Sequence, residues 1–205
     1  MTCSDKEVNA MNWLINRLDK LSTARNLVIA ITVSIIVISI MSIGTQSLVY
    51  SIYGEADMPD LMFNYDIDDV SEAFGILGSE GLEVWLTVHL LDYIFSAAYS
   101  LALAFGIILE VNASNIEEQS AKSMVIIPVF AGVFDYFENI IIAQQAFVYP
   151  NLSASIISMA SFFTSVKWAL LYLSFGLVFL LLLGVIYNRI SKNGEKTEDL
   201  AEPPR

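Results

Sequence analysis

Residues 128–142, PVFAGVFDYFENIII, are apolar enough to sit inside a bilayer, yet they carry Asp135, Glu138 and Asn139 in their interior. Ionisable side chains at that depth are costly and as a rule face a bundle interior or a wet cavity. The stretch therefore reads as a membrane-spanning helix and as the centre of a candidate site. At helical spacing, Pro128, Ala131, Gly132, Asp135, Glu138, Asn139 and Ile142 share one face, with small residues on one half and acids on the other.

The composition agrees. The chain has 205 residues, 56% hydrophobic and 16% charged, with a mean hydropathy of +0.61, which places it in the membrane class with room for one domain. Its net charge of -12 is gathered between Glu55 and Glu83 and in the tails, a topological pattern rather than the mark of an acidic or nucleic-acid partner. Ten basic residues are too sparse for a nucleic-acid patch. Cys3 is the one cysteine, which excludes an intrachain disulfide and a cysteine-based metal cluster.

The expected fold is all-α: a polytopic membrane protein whose four-transmembrane-helix bundle occupies 26–187. The spans run over about 26–50, 82–109, 123–147 and 156–187, each sufficient for a hydrocarbon core of ~30 Å. Ahead of them, Val8, Met11, Ile15 and Leu18 recur at helical spacing behind a Ser4/Glu7 capping box. Residues 1–25 thus suit an interfacial helix, or equally a short soluble helix leading into the membrane. In the first span, the polar stripe Thr32, Ser39, Ser42 and Gln46 is expected to face the other helices. The loop 51–81 lacks Lys and Arg and contains an amphipathic helix from Asp68 to Leu77, so it reads as an acidic cap outside the cytoplasm. Its Asp57, Asp60, Asp66, Asp68 and Asp69 miss the spacing of an EF-hand loop and read as solvated acid. The tail 188–205 is polar and proline-ended and reads as disordered. Nine of the ten basic residues lie in the N-terminal segment, the second connection or the tail, so the positive-inside rule puts both termini in the cytoplasm of a cell-membrane protein. The tenth, Lys167, lies inside the fourth span.

In the second span His89, Asp92, Ser96 and Tyr99 share a face, with Tyr93 beside them, and in the fourth Thr164, Lys167, Leu171 and Ser174 form a stripe. Counted inward at ~1.5 Å per residue, Asp92, Asp135, Glu138 and Lys167 all fall roughly 13–18 Å deep. Three carboxylates then meet one ammonium, and protonation, a cation or a polar ligand must balance the excess. The leading reading is a site for a small or lipid-like ligand. Asp92, Asp135, Glu138 and Lys167 would carry any acid–base chemistry, and His89, Tyr93, Ser96, Tyr99, Asn139 and Thr164 would bind the ligand. The second reading is a proton- or cation-handling transporter subunit, which four spans would form as a homo-oligomer; the third is a structural clasp that fixes helix register. Pairing His89 and Asp92 with Asp135 and Glu138 as metal ligands is disfavoured by the single histidine and the competing Lys167, so no metal and no cofactor is expected. The expected partners are membrane lipid and that ligand, without nucleic acid.

PDLMFNY (59–65), LDYIFSAAY (91–99), DYFEN (135–139) and FTSVKW (163–168) occur in this order. Together, across about residues 50–170, they resemble a family of prokaryotic four-span integral membrane proteins. The resemblance implies a common fold and no particular activity. A looser similarity of architecture is to the sterol-isomerase and sigma-2-receptor-like four-helix proteins, which hold a lipid-like amine in a carboxylate-lined bundle. Asp92 with Phe95 and Tyr99 is similar to their acidic second helix. The absence of an acid in the first span and the presence of Lys167 depart from that pattern, and function does not follow from fold.

Overall fold

Helices account for the architecture of the computed structural model, which describes residues 3–114 and 119–201 and has no strand among them. Helix α1 (Cys3–Leu21) buries Ile15 and Leu18 and exposes Trp13, over whose ring the Arg17 guanidinium sits at 5.5 Å. The side chains of the expected Ser4/Glu7 box lie outside the described residues. Thr23 closes the link to α2 (Ala24–Gly44), its Oγ1 accepting from the Asn26 amide at 3.1 Å, as an N-cap should. A π-helical turn, Thr45–Tyr50, carries α2 on to Tyr53.

Helix α3 (Ile67–His89) begins at a reciprocal capping box: Asp66 accepts from the Asp68 and Asp69 amides, and Asp69 accepts from the Asp66 amide. Its first turns bury Val70, Ala73, Phe74 and Leu77, the face expected of the amphipathic cap helix, and Gly78 kinks it at φ +63°, a region that glycine enters without strain. Helix α4 (Asp92–Ala113) follows. Helix α5 (Ile126–Val148) is preceded by one 3-10 turn, Ser123–Val125, and tolerates Pro128 because the first turn needs no amide donor there. Helix α6 (Ala154–Ala201) is the longest.

Among the described residues, four helical stretches are long and apolar enough to cross a membrane: Ala24–Tyr53, Ile67–Ala113, Ser120–Val148 and Ala154–Ser191. Three expectations change. The second span is interrupted at Leu90–Leu91, where the Leu91 amide bonds the Val88 carbonyl at 3.0 Å, three residues back rather than four. The tail expected to be disordered is helical to Ala201, continuing α6 without a Pro or a helix-stopping turn; residues 202–205 lie outside the described residues. Finally, Thr32 and Ser39 lie on the exposed side of α2, Ser42 and Gln46 are exposed but border a space beside the docked loop, and α2 docks through Ala30, Val37 and Gly44 instead. Ser39 satisfies its hydroxyl on the Ile35 carbonyl at 2.6 Å, so lipid exposure costs it little.

Helix α4 is central, packing on α2, α5 and α6, while α5 and α6 pack extensively on each other. One apolar cluster, including Val49, Met58, Phe74, Trp85, Ile142 and Ile157, closes the end that bears the 54–66 loop. Another, including Ile15, Leu18, Phe105, Ile108 and Val125, closes the α1 end. The polar residues of α4, α5 and α6 lie between the two. Their approach depends on Gly132: a Cβ there would stand 2.9 Å from Ser100 Oγ and 3.3 Å from the Ser96 carbonyl oxygen. Gly132→Ala should therefore push α4 and α5 apart and destabilise by about 1–3 kcal/mol, read as a lower melting temperature in detergent.

At the α1 end, Asp19 ties three segments together. It pairs with Lys122 at 2.8 Å and accepts from Asn112 Nδ2 at 3.3 Å, and the Lys122 hydrogen bond holds its carboxyl below the usual carboxylate range. A depressed folded value makes the stabilisation complete above the unfolded value, about pH 4, and removes it as pH falls through the folded one. Asp19→Asn should cost up to ~1 kcal/mol at neutral pH, as partly exposed pairs do. The gap between the two unfolding curves should close only in acid below about pH 4.

Candidate functional site

Helix α5 delivers Asp135, Glu138 and Asn139 on a face where none is more than 3% exposed, and α6 delivers Lys167 at 5%. Buried charges are tolerated when paired and hydrogen-bonded. The Lys167 ammonium lies 2.5 Å from Glu138 Oε2 and 3.2 Å from Asp135 Oδ1. The other Asp135 oxygen, Oδ2, accepts from Tyr99 at 2.8 Å and lies 2.7 Å from Ser96 Oγ, both on α4. Asp135 is thus saturated from two helices. Glu138 is not: its Oε1 has no hydrogen-bond partner.

The polar stripe of α6 holds the 54–66 loop. Ser161 Oγ accepts from the Tyr65 amide at 2.9 Å, Thr164 is hydrogen-bonded to the Tyr65 hydroxyl at 3.1 Å, and Ser165 donates to the Phe63 carbonyl at 2.9 Å. Lys167 Nζ reaches the Asp60 carbonyl at 3.4 Å. The acidic loop is in this way drawn onto the bundle, and Asp60 with it.

Asp60 corrects the reading of that loop as solvated acid. Asp57, Asp66, Asp68 and Asp69 are exposed, whereas Asp60 is half-buried with Oδ1 shielded and unpartnered. One carboxylate oxygen of Asp60, one of Asp92 and a ring nitrogen of His89 lie within 4.8 Å of one another. The interruption at Leu90–Leu91 permits this, because it separates the last residue of α3, His89, from the first of α4, Asp92. His89 is 3% exposed and stacks on Trp85, ring centroids 4.4 Å apart. Its Nε2 makes no hydrogen bond.

The structure accordingly brings Asp92, Asp135, Glu138 and Lys167 together with His89, Ser96, Tyr99 and Asn139. Thr164 serves the loop contact instead. Tyr93 stays at the rim, its ring between His89 and Tyr136 and its carbonyl accepting from the Tyr136 hydroxyl at 2.5 Å. Asp60, Trp85, Tyr65 and Ser161 were not singled out as site residues. Trp85 stands one helical turn before His89, a spacing that could have paired them. PDLMFNY supplies the docked loop, LDYIFSAAY and DYFEN the facing polar surfaces of α4 and α5, and FTSVKW the clamp and the ammonium, so the four stretches meet at one place.

Two spaces adjoin it. A cavity of about 260 Å³ is lined by Asp60, Trp85 and Met58 together with Ser42 and Gln46 of α2. A nearly apolar groove of about 440 Å³ runs between α2, α4 and α6, bounded by Ile31, Ile35, Tyr99, Leu103, Gly106 and Phe175. Ile38 lines both. Comparison with protein-family models, curated proteins and solved structures finds no match to this chain.

Lys167→Met should strand Asp135 and Glu138 as buried, unbalanced carboxylates and cost about 3–5 kcal/mol. The triple variant Asp135→Asn, Glu138→Gln, Lys167→Met should recover most of that loss in thermal unfolding, because it removes the charges together.

Proposed function

We propose that this chain is an integral membrane protein that binds an amphiphile, polar group toward the carboxylate and lysine cluster and apolar part in the groove between α2, α4 and α6. The observation that carries the reading is Tyr99, whose ring bounds the groove while its hydroxyl donates to Asp135. One residue thereby joins a lipid-facing space to the buried charges. The groove volume lies within the range of ~300–1,000 Å³ usual for small-molecule sites, and such sites combine apolar walls with a few convergent polar groups. The free oxygen of Glu138 is the proton acceptor available for chemistry on a bound polar group, and Lys167 supplies positive charge beside it. The distribution of basic residues orients the protein with α1 and the C-terminus in the cytoplasm and the 54–66 loop outside. The four stretches that resemble prokaryotic four-span proteins would then be the signature of this one site.

A proton- or cation-transport role has its own support in the interruption at Leu90–Leu91, since irregular backbone at membrane depth accompanies ion sites in transporters. Sealed proteoliposomes separate the two: a transporter moves charge only across a closed vesicle, whereas amphiphile binding needs none.

Thermal unfolding in detergent with added lipid fractions tests the binding reading. An amphiphile at about 100 times its Kd adds ~2.7 kcal/mol to stability. For a chain of ~200 residues that is a rise of roughly 5–10 °C. Gly106→Leu, which fills the groove without touching the Asp135, Glu138 and Lys167 cluster, should fold normally and lose the rise. Equal shifts in both proteins, or none with any fraction, would contradict the reading.

A further inference from the structure

Among the described residues, Lys167 pairs with two of the carboxylates in this region and no cation pairs with two others. Its ammonium is engaged by Asp135 and Glu138, both on α5. Asp60 and Asp92 lie instead around His89, in a set contributed by three separate segments: the docked loop, the end of α3 and the start of α4. Counting all four acids against Lys167, the region carries a formal excess of three negative charges.

From this arrangement we propose that Asp60, His89 and Asp92 bind one divalent transition-metal ion, with an open coordination position toward the cavity that Asp60 lines. The donor chemistry fits. One imidazole nitrogen and two carboxylate oxygens suit zinc and its first-row neighbours, and three protein ligands leave a place for water or a ligand oxygen. The spacing fits as well: ligand atoms around a tetrahedral zinc stand about 3.4 Å apart, a short side-chain adjustment inward from the 4.8 Å limit seen here. Two further observations point to an ion rather than to solvated acid. His89 is 97% buried, yet its Nε2 has no hydrogen-bond partner, and Asp60 Oδ1 is shielded and equally unpartnered. Buried polar atoms of this kind are uncommon unless something satisfies them. Stacking on Trp85 restrains the imidazole plane. Lys167 does not oppose the ion electrostatically to the extent the sequence implied, since two carboxylates outside the ligand set neutralise it. A divalent ion would reduce the excess of three negative charges to one. Its open position adjoins Ser42 and Gln46, and the ligand it would take there is an oxygen donor such as a carboxylate, phosphate or hydroxyl headgroup.

The test uses the full-length protein in detergent and the metal alone, so its outcome is independent of amphiphile binding. Metal content by plasma mass spectrometry after dialysis against zinc, and titration of the stripped protein with zinc and with cobalt, should give one ion per chain. Cobalt should show the intensified ligand-field bands of a low-coordinate site, and magnesium, which prefers all-oxygen octahedral sites, should not compete. Asp60→Ala, on the loop, and His89→Gln should each weaken zinc by at least about ten-fold. Asp57→Ala, a neighbouring exposed acid, should leave the affinity unchanged. Should His89→Gln fail to fold, Asp60→Ala decides alone, provided its metal-free helicity matches wild type. No stoichiometric ion, competition by magnesium at equal concentration, or equal losses in Asp57→Ala and Asp60→Ala would overturn the site.

Discussion

One ammonium held between two buried carboxylates is the constraint on which this structure turns. Lys167 is drawn into a region with little water, and it is tolerated there because Asp135 and Glu138 meet it directly. The consequences propagate outward from that contact. Asp135 must be saturated on its far side, so Ser96 and Tyr99 of α4 come within hydrogen-bonding distance, and Gly132 is the residue that lets α4 and α5 close enough for them to do so. On its other side the same ammonium reaches the Asp60 carbonyl, which helps bring the acidic loop down onto α6. A conventional apolar interface between these helices would have needed none of these partners, and such replacements are frequently neutral or stabilising. Stability alone therefore does not call for the charged arrangement.

Much of this was legible in the sequence wherever periodicity carried the information. The face of α5 from Pro128 to Ile142 is buried as spacing implied, and Asp92, Asp135, Glu138 and Lys167 converge as their depths implied. Composition misled where local chemistry had two solutions. The hydroxyls of α2 can turn inward to neighbours or bond their own helix, and Ser39 takes the second course, which frees α2 to dock through small and branched apolar residues. Asp60 sits among four exposed aspartates that look identical in sequence; it is the one whose backbone carbonyl meets Lys167 where Ser161, Thr164 and Ser165 of α6 hold the loop. The interruption at Leu90–Leu91 has no Gly or Pro to announce it, and tertiary packing around His89 and Asp92 accompanies it. The tail illustrates the converse: polar, charged sequence that looks unstructured continues as helix when an apolar helix runs into it.

Two chemically different spaces meet at this cluster, and that conjunction supports an amphiphile as the natural occupant. The groove between α2, α4 and α6 is walled almost entirely by apolar side chains, with Ser34 and Glu110 among them, and the Asp60 cavity adds Asp60, Ser42 and Gln46 to an otherwise apolar lining. A molecule with both characters would satisfy them together, entering laterally past α2, which with α6 is the least enclosed of the candidate spans. Glu138 Oε1 retains an unused acceptor beside it, which a polar headgroup would complete.

The most direct measurement is native mass spectrometry of the wild-type protein released gently from its own membrane. The account predicts a single defined adduct, one amphiphile per chain, that survives conditions stripping the surrounding lipid and is exchanged by an excess of the same molecule. A bare polypeptide mass, or a broad ladder of assorted lipids no different from an ordinary helical bundle's annulus, would contradict it.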